Sequence, residues 1–174
     1  LLADAGYPNG EGFPSTEILY NTNEGHRKVA VAIQQMWREH LNIDVKLLNQ
    51  EWKVYLDSES NGDYQISRAG WIGDYVDPNN FLDMFICNGG NNRTGWCNEE
   101  YDRLVLEVAP RAKTHEERLA IFGQAEQMLM DDLPVLPIYT YTSKHLVNPA
   151  VKNLVDNILD QPSYTEIYLQ GESN

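Results

Sequence analysis

The segment Ser67-Arg-Ala-Gly-Trp-Ile-Gly-Asp-Tyr-Val-Asp-Pro78 decides how the rest of the chain is interpreted. Residues 64–68 alternate in polarity, which predicts a strand that leads into it. Gly70 and Gly73 then flank Trp71, and the aspartates and proline that follow end the regular pattern. Loops on rigid strands often hold binding residues, so this composition indicates a loop that faces a ligand. An ordinary turn after a strand, with Trp71 in the core, fits the same residues.

The residues around this segment predict an alternation of strands and helices. Strands are expected at 16–20 and 45–48, and helices at 24–41, where apolar residues recur at every fourth position, and at 51–61. Strand–helix–strand–helix–strand is the pattern of βαβ units on a parallel sheet. Ligands of such sheets bind beyond the carboxyl ends of the strands, which is where Asp74 is expected.

The second half of the sequence is more helical. Helices are predicted after Pro78, from Asn98 to about Pro110, and from Thr114, which forms a capping box with Glu117. An apolar, β-rich run follows at residues 133–141, and its two prolines favour an edge position. A short terminal strand is expected at residues 166–169.

The length and composition limit the class of protein. The 174 residues suffice for one domain with a core, and 42% hydrophobic with 22% charged residues is ordinary for a globular protein. The formal net charge of −13 argues against nucleic-acid binding, which needs a basic face. No apolar run of about 18 residues occurs, so no transmembrane helix is encoded in these residues.

The two ends of the sequence lead to further expectations. Leu1-Leu-Ala-Asp-Ala-Gly-Tyr-Pro8 has the pattern of the last turn of a helix that ends at Gly6. We therefore expect the chain to be a C-terminal fragment of a larger protein. The lack of a targeting segment then gives no information about the cellular compartment. Residues 1–170 are expected to form one ligand-binding lobe, and residues 171–174 a disordered tail.

Cys87 and Cys97 bracket a polar loop that is rich in glycine and asparagine. A disulfide that closes this loop would stabilise the fold by roughly 2–3 kcal/mol and suits an oxidising compartment. Two free thiols are the alternative, whereas a zinc site lacks the second pair of ligands that four-coordination requires. We expect the disulfide.

The pattern Arg-Ala-Gly-Trp-x-x-Asp-Tyr-x-x-Pro at residues 68–78 resembles the signature of family 5 solute-binding receptors of ABC transporters, most closely those that bind oligopeptides. Asn-Gln-Glu-Trp-Lys at 49–53 and the segment 114–141 also fit this family, so the resemblance covers nearly the whole chain. It implies an α/β, periplasmic-binding-protein-like (type II) C-terminal lobe with a mixed sheet flanked by helices, as a fragment of a larger two-lobed receptor.

The resemblance also implies ligand-binding roles for individual residues. These residues are Trp52, Arg68, Gly70, Trp71, Asp74 and Tyr75. Asp74 would pair with the α-ammonium group of a peptide, although it can also cap the turn. Trp71 and Tyr75 would line side-chain pockets. Trp52 would face the ligand, with helix packing as its alternative, and Arg68 would meet a peptide carboxylate.

The sequence departs from the family pattern at Glu59, where the most similar receptors have a second arginine. Ile72 and Gly73 also differ from a cysteine-containing version of the motif. The acid at residue 59 argues against tight recognition of a peptide carboxylate. It favours a different preferred peptide length, or a preference for ligands with basic side chains.

The sequence indicates a receptor and not an enzyme. Gly-x-Ser-x-Gly, His-Glu-x-x-His and phosphate-cradling glycine loops are absent, and the four histidines are scattered. Asp74 and Asp77 are spaced as a carboxylate pair, but nothing else supports a hydrolase. No cofactor or metal is expected.

The resemblance implies an oligopeptide ligand, permease subunits of an ABC transporter as partners, a monomer, and a periplasmic or cell-surface location. The alternatives are a receptor for dipeptides, murein peptides, signalling peptides or a metal chelate, or a protein-interaction module.

Overall fold

A computed structural model of the chain describes residues 1–171. The chain has two compact units, Leu1–Gly70 and the part that begins at Trp71. Of the tail expected at residues 171–174, residues 172–174 lie outside the described part. Within residues 1–171, no helix is long and apolar enough to cross a membrane.

The first unit has the predicted alternation of strands and helices. Its elements are β1 (Thr16–Asn21), α1 (Glu24–Leu41), β2 (Val45–Gln50), α2 (Trp52–Asn61) and β3 (Ile66–Ser67). The strands form a parallel sheet in the order β2-β1-β3, which confirms the βαβ arrangement. The buried apolar side chains that pack together here are Ile18, Tyr20, Ala30, Ile43 and Val45.

Local capping signals set the ends of these helices. The side chain of Asn23 accepts hydrogen bonds from the backbone N–H groups of Gly25 and His26 and so begins α1. Asn42 ends α1 with a φ of 54°, and Gly62 ends α2 with a φ of 72°. Asparagine and glycine adopt this left-handed conformation most readily, so the helices end at the predicted residues.

The strand β3 is shorter than the predicted strand at residues 64–68. The side-chain Oε1 of Gln65 accepts the backbone N–H of Glu17 at 2.8 Å, in the place of a bond between the two backbones. The N–H of Arg68 still donates to the carbonyl of Leu19 at 2.8 Å. The backbone therefore stays next to β1 as far as the start of the motif loop.

The second unit is mainly helical. Its elements are α3 (Asn79–Leu82), α4 (Glu99–Asp102), α5 (His115–Asp132), β4 (Val151–Lys152) and β5 (Tyr168–Leu169). α4 continues as a π-helical stretch, Arg103–Val108, and a 3₁₀ turn, Ala109–Arg111. The buried apolar cluster comprises Leu82, Tyr101, Leu104, Val105, Ala109, Ile121, Phe122, Ala125 and Leu129.

The predicted start of α5 is confirmed, with one change in its capping bonds. The hydroxyl of Thr114 accepts the N–H of Glu117 at 3.1 Å. The carboxylate of Glu117 accepts the N–H of Lys113 at 2.7 Å, where a standard capping box would use the N–H of Thr114.

The prediction of β structure at residues 133–141 is wrong. Leu133 ends α5 with a φ of 51°, and Pro134 and Pro137 have no N–H to donate to a ladder. The residues from Leu133 to Tyr141 form no strand. The terminal strand predicted at 166–169 has two residues, which pair antiparallel with β4.

The structure contains the expected disulfide between Cys87 and Cys97. The loop that it closes is also held from inside, because the side-chain amide of Asn92 donates to the carbonyls of Phe85, Ile86 and Trp96 at 3.2, 3.0 and 2.9 Å. The loop is therefore an ordered part of the second unit.

Replacing both cysteines by serine is expected to lower the free energy of unfolding by about 2–3 kcal/mol, because the unfolded chain gains the freedom that the closed loop removes. Urea unfolding of the wild-type protein and of the double variant, each with and without reductant, measures this loss. Reductant should destabilise the wild-type protein and leave the double variant unchanged. Equal stability of both proteins without reductant would contradict the prediction.

Candidate ligand-binding site

The motif loop leaves the sheet at Arg68, where the backbone is fixed on both sides. Its N–H donates to the carbonyl of Leu19, and its own carbonyl accepts the hydroxyl of Tyr55 at 3.0 Å. The Arg68 side chain is half-buried, and Gly70, the last residue of the first unit, is exposed. The loop therefore starts from a rigid position.

Glu59, near the end of α2, is buried, with 9% of its surface exposed. Its carboxylate accepts the hydroxyl of Ser67 at 2.6 Å, and the Ser67 hydroxyl is also 3.4 Å from that of Tyr55. Burial raises the pKa of Tyr55, and the hydrogen bond to Glu59 raises it further. Glu59, which stands where the family resemblance led to the expectation of an arginine, is thus hydrogen-bonded inside the first unit.

Trp52 presents an aromatic surface at the start of α2. Half of its surface, 52%, is exposed, and its ring stacks on that of Tyr55 with centroids 5.6 Å apart and planes 18° apart. The indole therefore has a fixed orientation while it remains open to a ligand. This placement combines ring stacking within α2 with exposure, and the ligand-facing role of Trp52 stays a prediction.

Polar groups that the sequence analysis did not single out gather at the carboxyl ends of the strands. Asn21 ends β1, and its Oδ1 lies 2.7 Å from Nδ1 of His26. Burial lowers the pKa of His26, and the charge of Arg68 lowers it further. Gln50, opposite Asn21 at the end of β2, has a buried Oε1 without a hydrogen-bond partner among residues 1–171.

A signal for this cluster was present in the sequence. Asn21 and Gln50 are the last residues of neighbouring parallel strands, and ligands of such sheets bind beyond those ends. Recognising it required the exact strand ends and their register. The predicted ends, at residues 20 and 48, fell short of both residues.

In the second unit, hydrogen bonds orient both aromatic residues of the motif. The half-buried Trp71 donates its indole N–H to Oδ1 of Asn80 at 2.8 Å. Tyr75 is 45% exposed, and its hydroxyl accepts the side-chain amide of Asn79 at 3.1 Å. These bonds fix one end of each side chain and leave part of its surface open.

Asp74 lies between these aromatic residues in the sequence and is exposed. Burial raises the pKa of Asp83, and the negative charge of Asp74 raises it further. The amide of Asn79 donates to the Asp83 carboxylate at 3.1 Å as well as to Tyr75. Asp74 therefore contributes an open negative charge to a polar group of side chains.

Gly73 allows a close approach within the loop. A Cβ atom at this position would lie 3.1 Å from the ring of Phe81, which is closer than side chains normally tolerate. A side chain at this position would therefore require the ring of Phe81, which is 48% exposed, to shift by a few tenths of an ångström.

Asp77 is neutralised by an arginine. Its carboxylate accepts two hydrogen bonds from Arg118, at 2.7 and 2.8 Å, and one from the N–H of Asn79 at 2.9 Å. The hydrogen bond to Arg118 holds the pKa of Asp77 below its usual range. Asp77 is therefore occupied, and the spacing of Asp74 and Asp77 does not produce two equivalent acids. Within the described part of the chain, no group of three or more His, Cys, Asp or Glu residues is placed to hold a metal ion.

An open carboxylate among oriented, half-exposed aromatic side chains is an arrangement for binding an organic cation with apolar groups. This arrangement on an α/β scaffold defines a class of protein, the solute-binding modules. Residues 1–93 match the sequence profile of the bacterial extracellular solute-binding proteins, family 5 Middle. The chain belongs to family 5 of the bacterial extracellular solute-binding proteins.

Individual proteins support this assignment. The chain is 38% identical to the oligopeptide-binding protein OppA of Bacillus subtilis over 171 residues, which are 98% of the chain and 30% of that protein. It is 39% identical to the periplasmic murein peptide-binding protein MppA of Escherichia coli over 165 residues, 95% of the chain and 30% of that protein. The structure of Haemophilus influenzae OppA in complex with RPPGFSPFR matches with a TM-score of 0.79 and 36% identity, over 98% of this chain and 33% of that one.

The expected periplasmic-binding-protein-like α/β fold is thereby confirmed, and the family is extracytoplasmic, as the sequence predicts. The chain spans about 30% of the length of the curated relatives it matches. The comparisons identify the family, and the roles of individual residues remain predictions.

Replacing Glu59 by arginine, the residue expected there from the family, should lower the free energy of unfolding by about 2 kcal/mol or more. A guanidinium at this buried position would lose the acceptor for Ser67 and require new partners. Asp57→Arg, an exposed position on the same helix, is the matched control and should change stability by no more than about 0.5 kcal/mol. Equal effects of the two substitutions in urea unfolding would show that Glu59 is not held as described.

The Asp77–Arg118 pair should make stability depend on pH. Because the pKa of Asp77 is lowered on folding, its contribution is present above the unfolded value of about 4 and is lost as pH falls through the folded value. We expect Asp77→Asn to cost about 1–2 kcal/mol at pH 7 and much less at pH 2. Urea unfolding across this range measures the difference, and Arg118→Met should remove the same pH-dependent part. A cost of Asp77→Asn that is constant with pH would contradict the assignment.

Proposed function

We propose that this chain is a ligand-binding lobe, residues 1–170, of an extracytoplasmic receptor that captures oligopeptides and delivers them to the permease of an ABC importer. The observation that carries the proposal is the exposed carboxylate of Asp74, which lies in the sequence between Trp71 and Tyr75, two aromatic residues whose side chains are oriented by hydrogen bonds. Relatives named for oligopeptide binding, one of them solved in complex with the nine-residue peptide RPPGFSPFR, support the same ligand class.

Asp74 recognises the amino end of the peptide. A carboxylate forms a charge-assisted hydrogen bond with an α-ammonium group, and it gains strength when closure of the receptor removes water. Every unmodified peptide has this ammonium group, so the contact selects peptides without reading their sequence.

In the second unit, Trp71 and Tyr75 form walls for side chains of the peptide, and in the first unit Trp52 offers a further aromatic surface. Each is partly exposed, and each is held by a hydrogen bond or by ring stacking. Aromatic walls of fixed orientation accept apolar groups of many shapes, which suits a receptor with broad specificity.

Arg68 and the polar ends of the strands bind the peptide backbone or its carboxylate. Arg68 provides a positive charge, and the unpaired acceptor of Gln50 provides a partner for an N–H group. His26 has a lowered pKa and so takes part as a neutral group at pH 7. Glu59 is bonded to Ser67 and contributes to the fold, so its acidity need not select basic side chains.

The function is binding, without chemical conversion of the peptide. Asp77, the second acid of the motif, is paired with Arg118, so the acid pair that a hydrolase would need is replaced by one free carboxylate. The receptor needs no cofactor or metal for this role.

Calorimetry on the full-length natural protein tests the proposal with trialanine, pentaalanine and their N-acetylated forms. Free peptides should bind, and both acetylation and Asp74→Asn should weaken binding by about 2–5 kcal/mol, because one partner of a desolvated charge pair is lost. Asp156→Asn, an exposed aspartate in the same unit, is the control and should leave binding unchanged. Binding that survives both changes would remove Asp74 from the site. A dipeptide and a murein tripeptide in the same series would reveal a different ligand preference, and lack of binding by all peptides would overturn the receptor function.

A further inference from the structure

We propose that Arg118 is a positioning residue for the aromatic side chains of Trp71 and Tyr75. It acts through Asp77 on the short helix α3, which follows the motif loop. The inference rests on the proposed function, because it takes these aromatic residues to be walls of the ligand site. It adds to the site a residue that lies about 40 positions further along the chain and outside the motif.

The first step is the contact between α5 and the loop. Arg118 donates to both oxygens of the Asp77 carboxylate, and both side chains are only about a quarter exposed, at 28% and 27%. The guanidinium also lies over the ring of Phe122, 4.5 Å from its centroid. The planar group is thus held from two sides, which fixes its direction as well as its charge.

The second step runs through the backbone near Asp77. Its carboxylate accepts the N–H of Asn79 at 2.9 Å, and its carbonyl accepts the N–H of Asn80 at 3.1 Å. Its own N–H donates to the carbonyl of Tyr75 at 3.0 Å. Asp77 therefore connects the end of the loop to the first residues of α3.

The third step is the pair of hydrogen bonds that orients the aromatic side chains. Asn79 donates to the hydroxyl of Tyr75, and Asn80 accepts the indole N–H of Trp71. Asn80 is only 2% exposed, and its Nδ2 has no hydrogen-bond partner among the residues that the structure describes. The side chain of Asn80 is thus hydrogen-bonded to Trp71. The position of Asn80 and the orientation of Trp71 therefore depend on each other.

The short helix cannot maintain this arrangement by itself. α3 has four residues, Asn79–Leu82, and isolated helices of this length do not form in water. Its conformation depends on packing and on contacts such as that between Arg118 and Asp77. Loss of the arginine should therefore loosen this segment before it affects the rest of the unit.

Substitutions in the full-length natural protein test the inference against a matched control. The variants are Arg118→Met, Arg118→Lys and Asp77→Asn. The control is Arg103→Met, since Arg103 donates to both oxygens of Glu100 at 2.7 and 2.6 Å in the same unit, and within residues 1–171 these bonds do not involve the motif loop. The control removes the same kind of two-bond arginine–carboxylate contact.

Calorimetry with trialanine provides the first measurement. Arg118→Met and Asp77→Asn should weaken binding on the order of tenfold, the effect expected when a residue outside the site shifts its geometry. Arg118→Lys should lose less, because it keeps the charge and lacks the two-pronged donor. Arg103→Met should bind as the wild-type protein does. Unchanged affinity in Arg118→Met would overturn the inference.

The indole N–H resonance of Trp71 provides the second measurement and needs no ligand. The resonance is assigned by its loss in Trp71→Phe. In Arg118→Met it should shift and exchange faster with solvent, and in Arg103→Met it should stay in place. A resonance that does not move in Arg118→Met, even if the protein is less stable, would show that Arg118 only stabilises the fold. If the wild-type protein binds no peptide, the proposed function fails, and this signal still decides whether Arg118 positions Trp71.

Discussion

The parallel pairing of β1 with its two neighbours is the constraint on which the rest of the first unit depends. β1 is almost fully buried, and its register brings Asn21 opposite Gln50 and Leu19 opposite Ser67. Because the strands are parallel, their carboxyl ends meet at one edge of the sheet. Asn21, Gln50 and the start of the motif loop at Arg68 gather there for this reason, although 47 positions separate the first from the last in the sequence. The gathering of polar groups at this edge is a consequence of strand direction.

A second constraint acts on the aromatic side chains. An exposed tryptophan or tyrosine on a loop would sample several rotamers, and a ligand that bound it would have to fix one of them at a cost in entropy. Trp71 and Tyr75 avoid this cost because neighbouring asparagines hold their polar ends. Asp74, between them in the sequence, is left exposed. The motif segment therefore combines oriented aromatic surfaces with an exposed charge, an arrangement suited to a ligand that has a charged end group and variable side chains.

Local signals in the sequence predicted local features of the structure, and distant contacts escaped prediction. Asn23, Asn42, Gly62 and Thr114 end or begin helices as expected, because each cap depends on residues within four positions. Three other features depend on tertiary structure and could not be read from neighbouring residues. They are the backbone bond that the side chain of Gln65 replaces, the proximity of His26 to Arg68 and the pairing of Asp77 with Arg118. The β propensity of residues 133–141 misled for a similar reason, since a strand requires a paired backbone and two prolines in that run cannot donate.

The position of Glu59 shows how an acid, where the family resemblance led to the expectation of an arginine, can be accommodated inside the first unit. The carboxylate is directed to Ser67, and burial keeps it away from solvent. The hydroxyl of Ser67 donates to Glu59, and the hydroxyl of Tyr55, 3.4 Å from that of Ser67, donates to the carbonyl of Arg68, so the acid belongs to the group of side chains that fixes the start of the motif loop. His26 is nearby and neutral at pH 7 because its pKa is lowered, so the positive charge at this edge comes from Arg68. At this edge Arg68 provides a positive charge and Asn21 and Gln50 provide neutral polar groups, so an anion that bound there would depend on hydrogen-bond geometry as well as on charge.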